Sequence, residues 1–306
     1  MKVTLQKLRT WILDGRGVGT GDLYQPWIQI TRKLSSPHSN QCVVPMPGLR
    51  RLCHFLSRGE YRVAQVMWWL GAQDVREQFP LWPWPHQTPL SEIFPDSQFE
   101  LHPGLKSVAN DAGIPLYPYP GLAITAVPSL DLVITLPAGY APHRLVGCSV
   151  KPAEIYLESD SIDRVRERLE LDRRYCCSAD MGHVLVHAEQ LPHDLITNLD
   201  WLAPLRTRAE IESFAATHRY QDFVGHFADR AYEIPASRAA REAGRSVGWP
   251  FIDATFAMHT ALWRLDVDAD LMQEIRLYHP LPRGGRALKT VLSERLFGES
   301  HAPETQ

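Results

Sequence analysis

The stretch RLVGCSVKPAEIYLESD, residues 144–160, decides the fold. Leu145 to Val150 is an unbroken apolar and small-residue run of strand length that ends on Lys151. Pro152 then turns the chain, and the acidic run from Glu154 reads as a helix start. A lysine at the tip of a strand that otherwise reads as core is either a solvated end or a compact ammonium whose charge can be tuned for chemistry. Only six of the 32 Lys and Arg residues are lysines, Lys2, Lys7, Lys33, Lys106, Lys151 and Lys289, so arginine supplies the general surface charge.

Working outward, SLDLVITL (129–136) and HRLVGCSVK (143–151) read as two strands joined by PAGYAP. Asp131, Val133 and Thr135 share one face of the first; Leu145, Gly147, Ser149 and Lys151 share one face of the second. Both polar ends then point into one shallow site. Downstream, a helix from about Ser161 to Cys177 places Ile162, Val165, Leu169 and Cys176 on a stripe that also contains Asp172. A carboxylate on a buried face must be paired, hydrogen-bonded or bound to a cation, and Arg164, Arg166, Arg168, Arg173 and Arg174 flank it, so an ion pair is the plain reading. The strand GHVLVHAE (182–189) follows.

Upstream, SRGEYRVAQVMWWLG (57–71) has Val63, Ala64, Met67 and Leu70 at helical spacing, with Glu60 on the same side. Ser57 followed three residues later by Glu60 is also a capping box, in which Glu60 returns to the Ser57 backbone N–H. DVREQFPL (74–81) reads as a strand with Val75, Phe79 and Leu81 inward and Asp74, Arg76 and Gln78 outward. The order helix, strand, strand, strand, helix, strand is an α/β class. Residues 80–128 hold ten of the 24 prolines and read as a long irregular excursion.

GRGVGTGDLYQPW (15–27) is neither a Walker loop nor a dinucleotide-binding turn. It is either a flexible loop or a phosphate contact made by Arg16 and the amides of Gly17 and Gly19. From about Gln190 the texture becomes helical: ITNLDWLAPL, EIESFAATHRYQDFVGHFADRAY, ASRAAREAG and PFIDATFAMHTALWRL. A possible wing, DVDADLMQEIRLYHPLP, follows, and then a tail with a local charge of +3 that includes Lys289 and suits an acidic partner or phosphate. The expected division is 1–188, 189–280 and a basic tail, 281–306.

At 306 residues, 44% hydrophobic and 22% charged, the chain is long enough for about two globular domains. No apolar run approaches a membrane span or a signal peptide, which gives a cytoplasmic expectation. Five cysteines without a CxxC pair argue against a zinc ribbon or disulfide framework. A net charge of −3 argues against a generic polyelectrolyte binder, since non-specific DNA affinity comes mainly from phosphate neutralisation.

Glu60 on a helix, Asp131 on one strand, and Ser149 and Lys151 on the next follow the spacing logic of a metal-dependent phosphodiesterase. Two carboxylates and a backbone oxygen are hard ligands that suit Mg²⁺, with Mn²⁺ expected to substitute. Lys151 would orient or deprotonate the attacking water, a task arginine cannot share because it holds its proton.

With these residues in place the chain resembles the TnsA family, the endonuclease subunit of Tn-seven-like heteromeric transposases. The matching words are GRGVGTGDLYQPW, SRGEYRVA, DVREQFPL, the Asp in SLDLVIT, SVKPA, LELDRRY and ITNLDWL, in family order from Gly15 to Leu202. The resemblance implies a restriction-endonuclease-like (PD-(D/E)xK) mixed sheet flanked by helices, followed by a small helical, winged-helix-like C-terminal domain. It implies an enzyme that cuts the 5′ ends of a transposon while a DDE transposase subunit cuts and joins the 3′ ends. Glu60 and Asp131 match the family's metal ligands and Lys151 its catalytic lysine. Ser149 stands where the family commonly has Gln, which leaves one metal position to Glu60 and the Val150 carbonyl. Asp172 stands where a Glu occurs, one methylene shorter, and reaches a metal either directly or through water. An AAA+ regulator and DNA are the partners implied for the C-terminal region and tail. Two other readings remain open, a stand-alone restriction-type nuclease and a non-catalytic docking or DNA-binding subunit.

Overall fold

The stretch ahead of Lys151 is a strand, β5 (Leu145–Val150), with every residue buried, in a computed structural model that describes residues 3–31, 40–138, 143–153 and 162–297. The acidic run expected to start a helix, and residues 139–142 of the PAGYAP turn, lie outside the described residues. The chain divides into two compact units: Met1–Val44, Leu52–Glu189 and Phe297–Gln306 form one, Pro45–Arg51 and Gln190–Leu296 the other. No described helix is long and apolar enough to cross a membrane.

β1 (Cys42–Pro45) and β2 (Leu52–Phe55) form a two-stranded sheet; in the first unit, β3 (Asp74–Pro80), β4 (Ser129–Thr135), β5 and β6 (Gly182–Val186) form a four-stranded one in that order. β3 pairs antiparallel with β4 and β4 antiparallel with β5, whereas β5 pairs parallel with β6, so the sheet is mixed. The parallel pair needs a crossover, and α4 (Ile162–Ser178) lies between the two strands in sequence. One face of β5 meets α4: a Cβ at Gly147 would collide with the Cys176 sulfur, which explains a glycine in mid-strand. The other face meets α2 (Arg58–Leu70), where Val150 Cγ1 lies 3.7 Å from the position a Cβ on Gly59 would take.

β3 differs from its expected alternation. Arg76, Glu77 and Gln78 are all 0% exposed, because the strand is covered on both faces and Gln78 takes a left-handed φ of 50° that breaks the pleat. The proline-rich excursion is also more ordered than its composition suggested. It contains α3 (Leu105–Ala112), bounded by Gly104 and by Gly113 in the left-handed conformation. Leu105, Val108 and Ala109 join Phe79, Leu81, Leu130, Val133, Leu145, Leu171 and Tyr175 in one core cluster. A second cluster ties the excursion to α1 (Leu5–Leu13) through Trp11, Trp27 and Tyr119, with Trp82 packed against it. The Trp27 indole donates to Val127 O at 3.2 Å.

The second unit is helical, with α5 (His193–Leu202), α6 (Arg208–Ala215), α7 (His218–Ala231), α8 (Ala236–Ser246), α9 (Phe251–Arg264) and α10 (Gly285–Phe297). The run read as one helix from Glu210 to Tyr232 is two, α6 and α7. Thr217 breaks it by turning its hydroxyl to accept the Tyr220 N–H, an N-cap in the middle of the apolar pattern. Gly244 allows α8 and α9 to meet closely, since a Cβ there would sit 2.5 Å from Ala254 Cβ. No strand pair forms in the segment read as a wing: it crosses in turns, with a single bridge between Ala269 and Arg283. Asn198 fastens that segment, donating to Leu271 O and Gln273 O and accepting from Ile275 N. Most of the described part of the expected tail is the helix α10. Arg286 of that helix is engaged by Leu265 O and Asp266 O, and Arg283 lies over the Tyr232 ring.

Candidate active site

The β4–β5 ladder stops at Leu132–Cys148. Past that point, the Val150 N–H donates to the Asp131 carboxylate, Oδ2, at 2.7 Å in place of a backbone carbonyl. A side chain at this point holds the two strand ends open, while β5 continues to β6 through Lys151 N–H to Val186 O. Lys151 folds back into the gap: its Nζ lies 2.7 Å from Asp131 Oδ2 and 3.2 Å from Val150 O. The Lys151 and Asp131 side chains are 23% and 15% exposed, so the pair sits at the edge of solvent. Both bonds fall on Oδ2, and Asp131 Oδ1 has no hydrogen-bond partner among the described residues.

Glu60 enters from the first turn of α2. Ser57 caps that turn, its hydroxyl accepting the Glu60 N–H, but the capping box does not close as expected. Glu60 Oε2 accepts the Leu56 N–H and the Gln78 amide, both at 2.9 Å, while Oε1 accepts the Ser57 hydroxyl. Burial, and then the Asp131 carboxylate facing it, push the Glu60 carboxyl up to about 7, against the opposing pull of the Leu56 and Ser57 bonds and Lys151.

Ser149 and Asp172 turn to α4 and to each other. Ser149 Oγ donates to Asp172 Oδ2 at 3.1 Å and lies 3.0 Å from His183 Nε2. Arg168, one turn before Asp172, donates to Asp172 Oδ1 at 2.9 Å and to Ser129 O at 2.8 Å. The ion pair considered for Asp172 is therefore formed, by one of the five flanking arginines. Burial still raises the Asp172 carboxyl to about 6, with Arg168 opposing and Asp131 adding to the rise. Among the described residues no three His, Cys, Asp or Glu side chains assemble as a metal-binding group. The donor set available to a cation is two carboxylates and the Val150 carbonyl. Hard oxygens, a carboxylate oxygen without a protein partner and two mutually repelling acids fit a divalent ion that retains several waters, as Mg²⁺ does.

Gln78 was not expected here, because its position in DVREQFPL read as an outward strand face. The left-handed backbone at this residue redirects the side chain, which bridges Glu60 Oε2 and the Ser129 hydroxyl. A non-glycine residue held at positive φ leaves no sequence signal. The glycine-rich segment supports this residue: Trp27 N–H donates to Gln78 O at 3.1 Å. The phosphate-facing reading of that segment gives way to an internal one. Gly17 N–H is taken by Gln25 O, Gly19 N–H by Glu92 Oε1 and Gly21 N–H by Asp74 Oδ2. Arg16 stacks over the Trp11 ring, 4.8 Å from its centroid. Lys289 lies on α10 in the other unit, where burial and Arg264 lower its ammonium to about 8.

A cleft of about 540 Å³ opens beside Lys151, lined by Asn40, Ser57, Arg58, Arg62 and Glu189 among others. No family profile matches the chain. Over 197 residues, 64% of the chain, it is 28% identical to the Tn7 transposition protein TnsA of Escherichia coli. The matched residues span 62% of that protein's length. Across those residues the chain is TnsA-like in sequence.

Proposed function

We propose that the chain is a Mg²⁺-dependent DNA endonuclease that cleaves the 5′ strand at transposon ends, on a restriction-endonuclease-like sheet. The observation that carries this reading is the convergence of Glu60, Asp131, Val150 O and Lys151 at the opened strand ends, in a chain similar to a transposition protein. Mg²⁺ bound there would stabilise charge at the phosphorus and acidify a water. Glu60, Asp131 and the Val150 carbonyl would hold the ion, with Lys151 at the same strand end. Lys151, fixed by Asp131 and Val150 O, orients the attacking water and passes an ammonium proton to the leaving oxygen, taking the water's proton in exchange, as the new oxygen–phosphorus bond forms and the scissile one breaks. Ser149 and Asp172 act behind this group, holding β5 to α4.

The partners in this reading are transposon-end DNA, a DDE transposase subunit and an AAA+ regulator reached through the C-terminal helices. A second reading, a docking subunit without catalysis, draws on the missing third acid among the described residues. Strand-specific cleavage of labelled transposon-end DNA with the cognate transposase and Mg²⁺ separates the two. The nuclease reading expects a 5′ nick that Asp131→Ala and Lys151→Ala abolish while 3′ cleavage persists. A nick that survives both substitutions sinks it.

A further inference from the structure

We infer that Arg58 and Arg62 form a two-point grip for the phosphates of the DNA strand that enters the site. The inference rests on the nuclease reading for the identity of the polyanion. The two arginines are i and i+4 on α2, so their Cβ atoms lie about 6 Å apart on one face, and they bracket Glu60 in sequence. Both line the cleft that Lys151 also lines. Among the described residues neither side chain makes an ion pair or hydrogen bond. In contrast, Arg76 pairs with Glu92, Arg168 with Asp172, Arg173 and Arg174 with Glu170, and Arg264 with Asp266.

Two guanidiniums with no acidic partner among the described residues, on one helix face, are ready for an external anion. Guanidinium matches phosphate by parallel N–H donors, and a cleft wall that keeps both in one direction fixes the strand's path. The need for them is electrostatic. The floor of the site holds two carboxylates, the ammonium there is already spent on Asp131, and the chain is net negative at −3. A phosphodiester approaching this floor is repelled unless cations on the cleft wall meet its neighbours. Glu189 is the single acid among the described lining residues, against Arg58, Arg62 and Lys151, so the described lining is net positive.

The test is equilibrium binding of the full chain to a short fluorescein-labelled duplex of arbitrary sequence, in EDTA so that no hydrolysis enters, across a series of salt concentrations. Each phosphate contact contributes about 0.9 to the slope of log K against log salt. Arg58→Ala with Arg62→Ala is expected to weaken binding at low salt and to flatten the slope by about 2, whereas Arg58→Lys with Arg62→Lys keeps most of the slope. Melting temperatures recorded alongside identify any variant that fails to fold, in which case Arg→Gln at both positions replaces it. An alanine pair that binds with the wild-type slope overturns the grip and leaves the nuclease reading, which is judged by the 5′ nick, untouched. A flattened slope in a protein that never nicks keeps the grip and removes the nuclease reading. A wild-type protein that binds no duplex even at low salt also overturns the grip.

Discussion

Glu60 stands where a negative charge is disfavoured. Its carboxyl is buried, faces Asp131 and is raised to about 7 from an ordinary value of 4.5. Between those values the folded protein keeps a proton that the unfolded chain has released, so this group's contribution to stability falls as pH rises through that window. Glu60→Gln keeps an acceptor for Leu56 N–H and the Gln78 amide but removes the charge. At pH 8 in EDTA it is expected to raise the melting temperature, with a gain of about 1–3 kcal/mol, and to make no difference near pH 4.5. A wild-type curve that matches the variant at pH 8 would remove the argument. Lys151→Arg keeps a cation beside Asp131 but cannot yield a proton, so it is expected to fold normally and lose the nick. The placement of Glu60, Asp131 and Lys151 was legible in sequence, because each stands within three residues of the end of an element whose boundary is marked. Gln78 was not: its role comes from a positive φ imposed by tertiary packing.

The elements themselves followed the patterns where one face is apolar and the ends are marked. α4, β5 and β6 appear where their periodicity and flanking turns place them. Patterns failed where a short signal interrupted a longer one. Thr217 split α6 from α7, and the glycines at 104 and 113 bound a two-turn helix inside a proline-rich run. β5 meets α4 so closely at Gly147 that Gly147→Ala is expected to cost about 1–3 kcal/mol by overpacking against Cys176. The double variant with Cys176→Ala is expected to recover part of that loss, and urea titrations of the two single variants and the double would measure the coupling. If the two substitutions are additive, the close contact is not the cause.

A second element-scale device is the ring cluster that joins the excursion to α4. His86 Nε2 lies 2.8 Å from the Tyr175 hydroxyl, and His102 Nε2 lies 2.7 Å from Ser178 Oγ. Burial, and then His86, lower His102 to about 4. The unfolded chain binds the proton first, so stability is lost as pH falls from about 6.5 toward 4. His102→Gln is expected to flatten that acid limb; an unchanged limb would place the acid sensitivity elsewhere.

At the scale of the whole molecule, the candidate site and its support lie in the first unit alone: α2, β4, β5, the strained Gln78 and the glycine-rich segment that braces it. A ligand that binds one folded unit stabilises that unit by mass action. In calorimetry, Mn²⁺ is therefore expected to shift the unfolding of the first unit and to leave that of the helical unit where it was. In sequence the texture changes near Gln190, and residues 45–51, which group with the second unit, carry no local sign of it.

The most direct measurement is the anomalous scattering of crystals soaked in Mn²⁺. The account predicts a peak bound by the carboxylates of Glu60 and Asp131 and by the Val150 carbonyl, with Lys151 beside it and Ser149 still bonded to Asp172. A well-diffracting soaked crystal with no peak there, or with its peak on Ser149 and Asp172 instead, would contradict it.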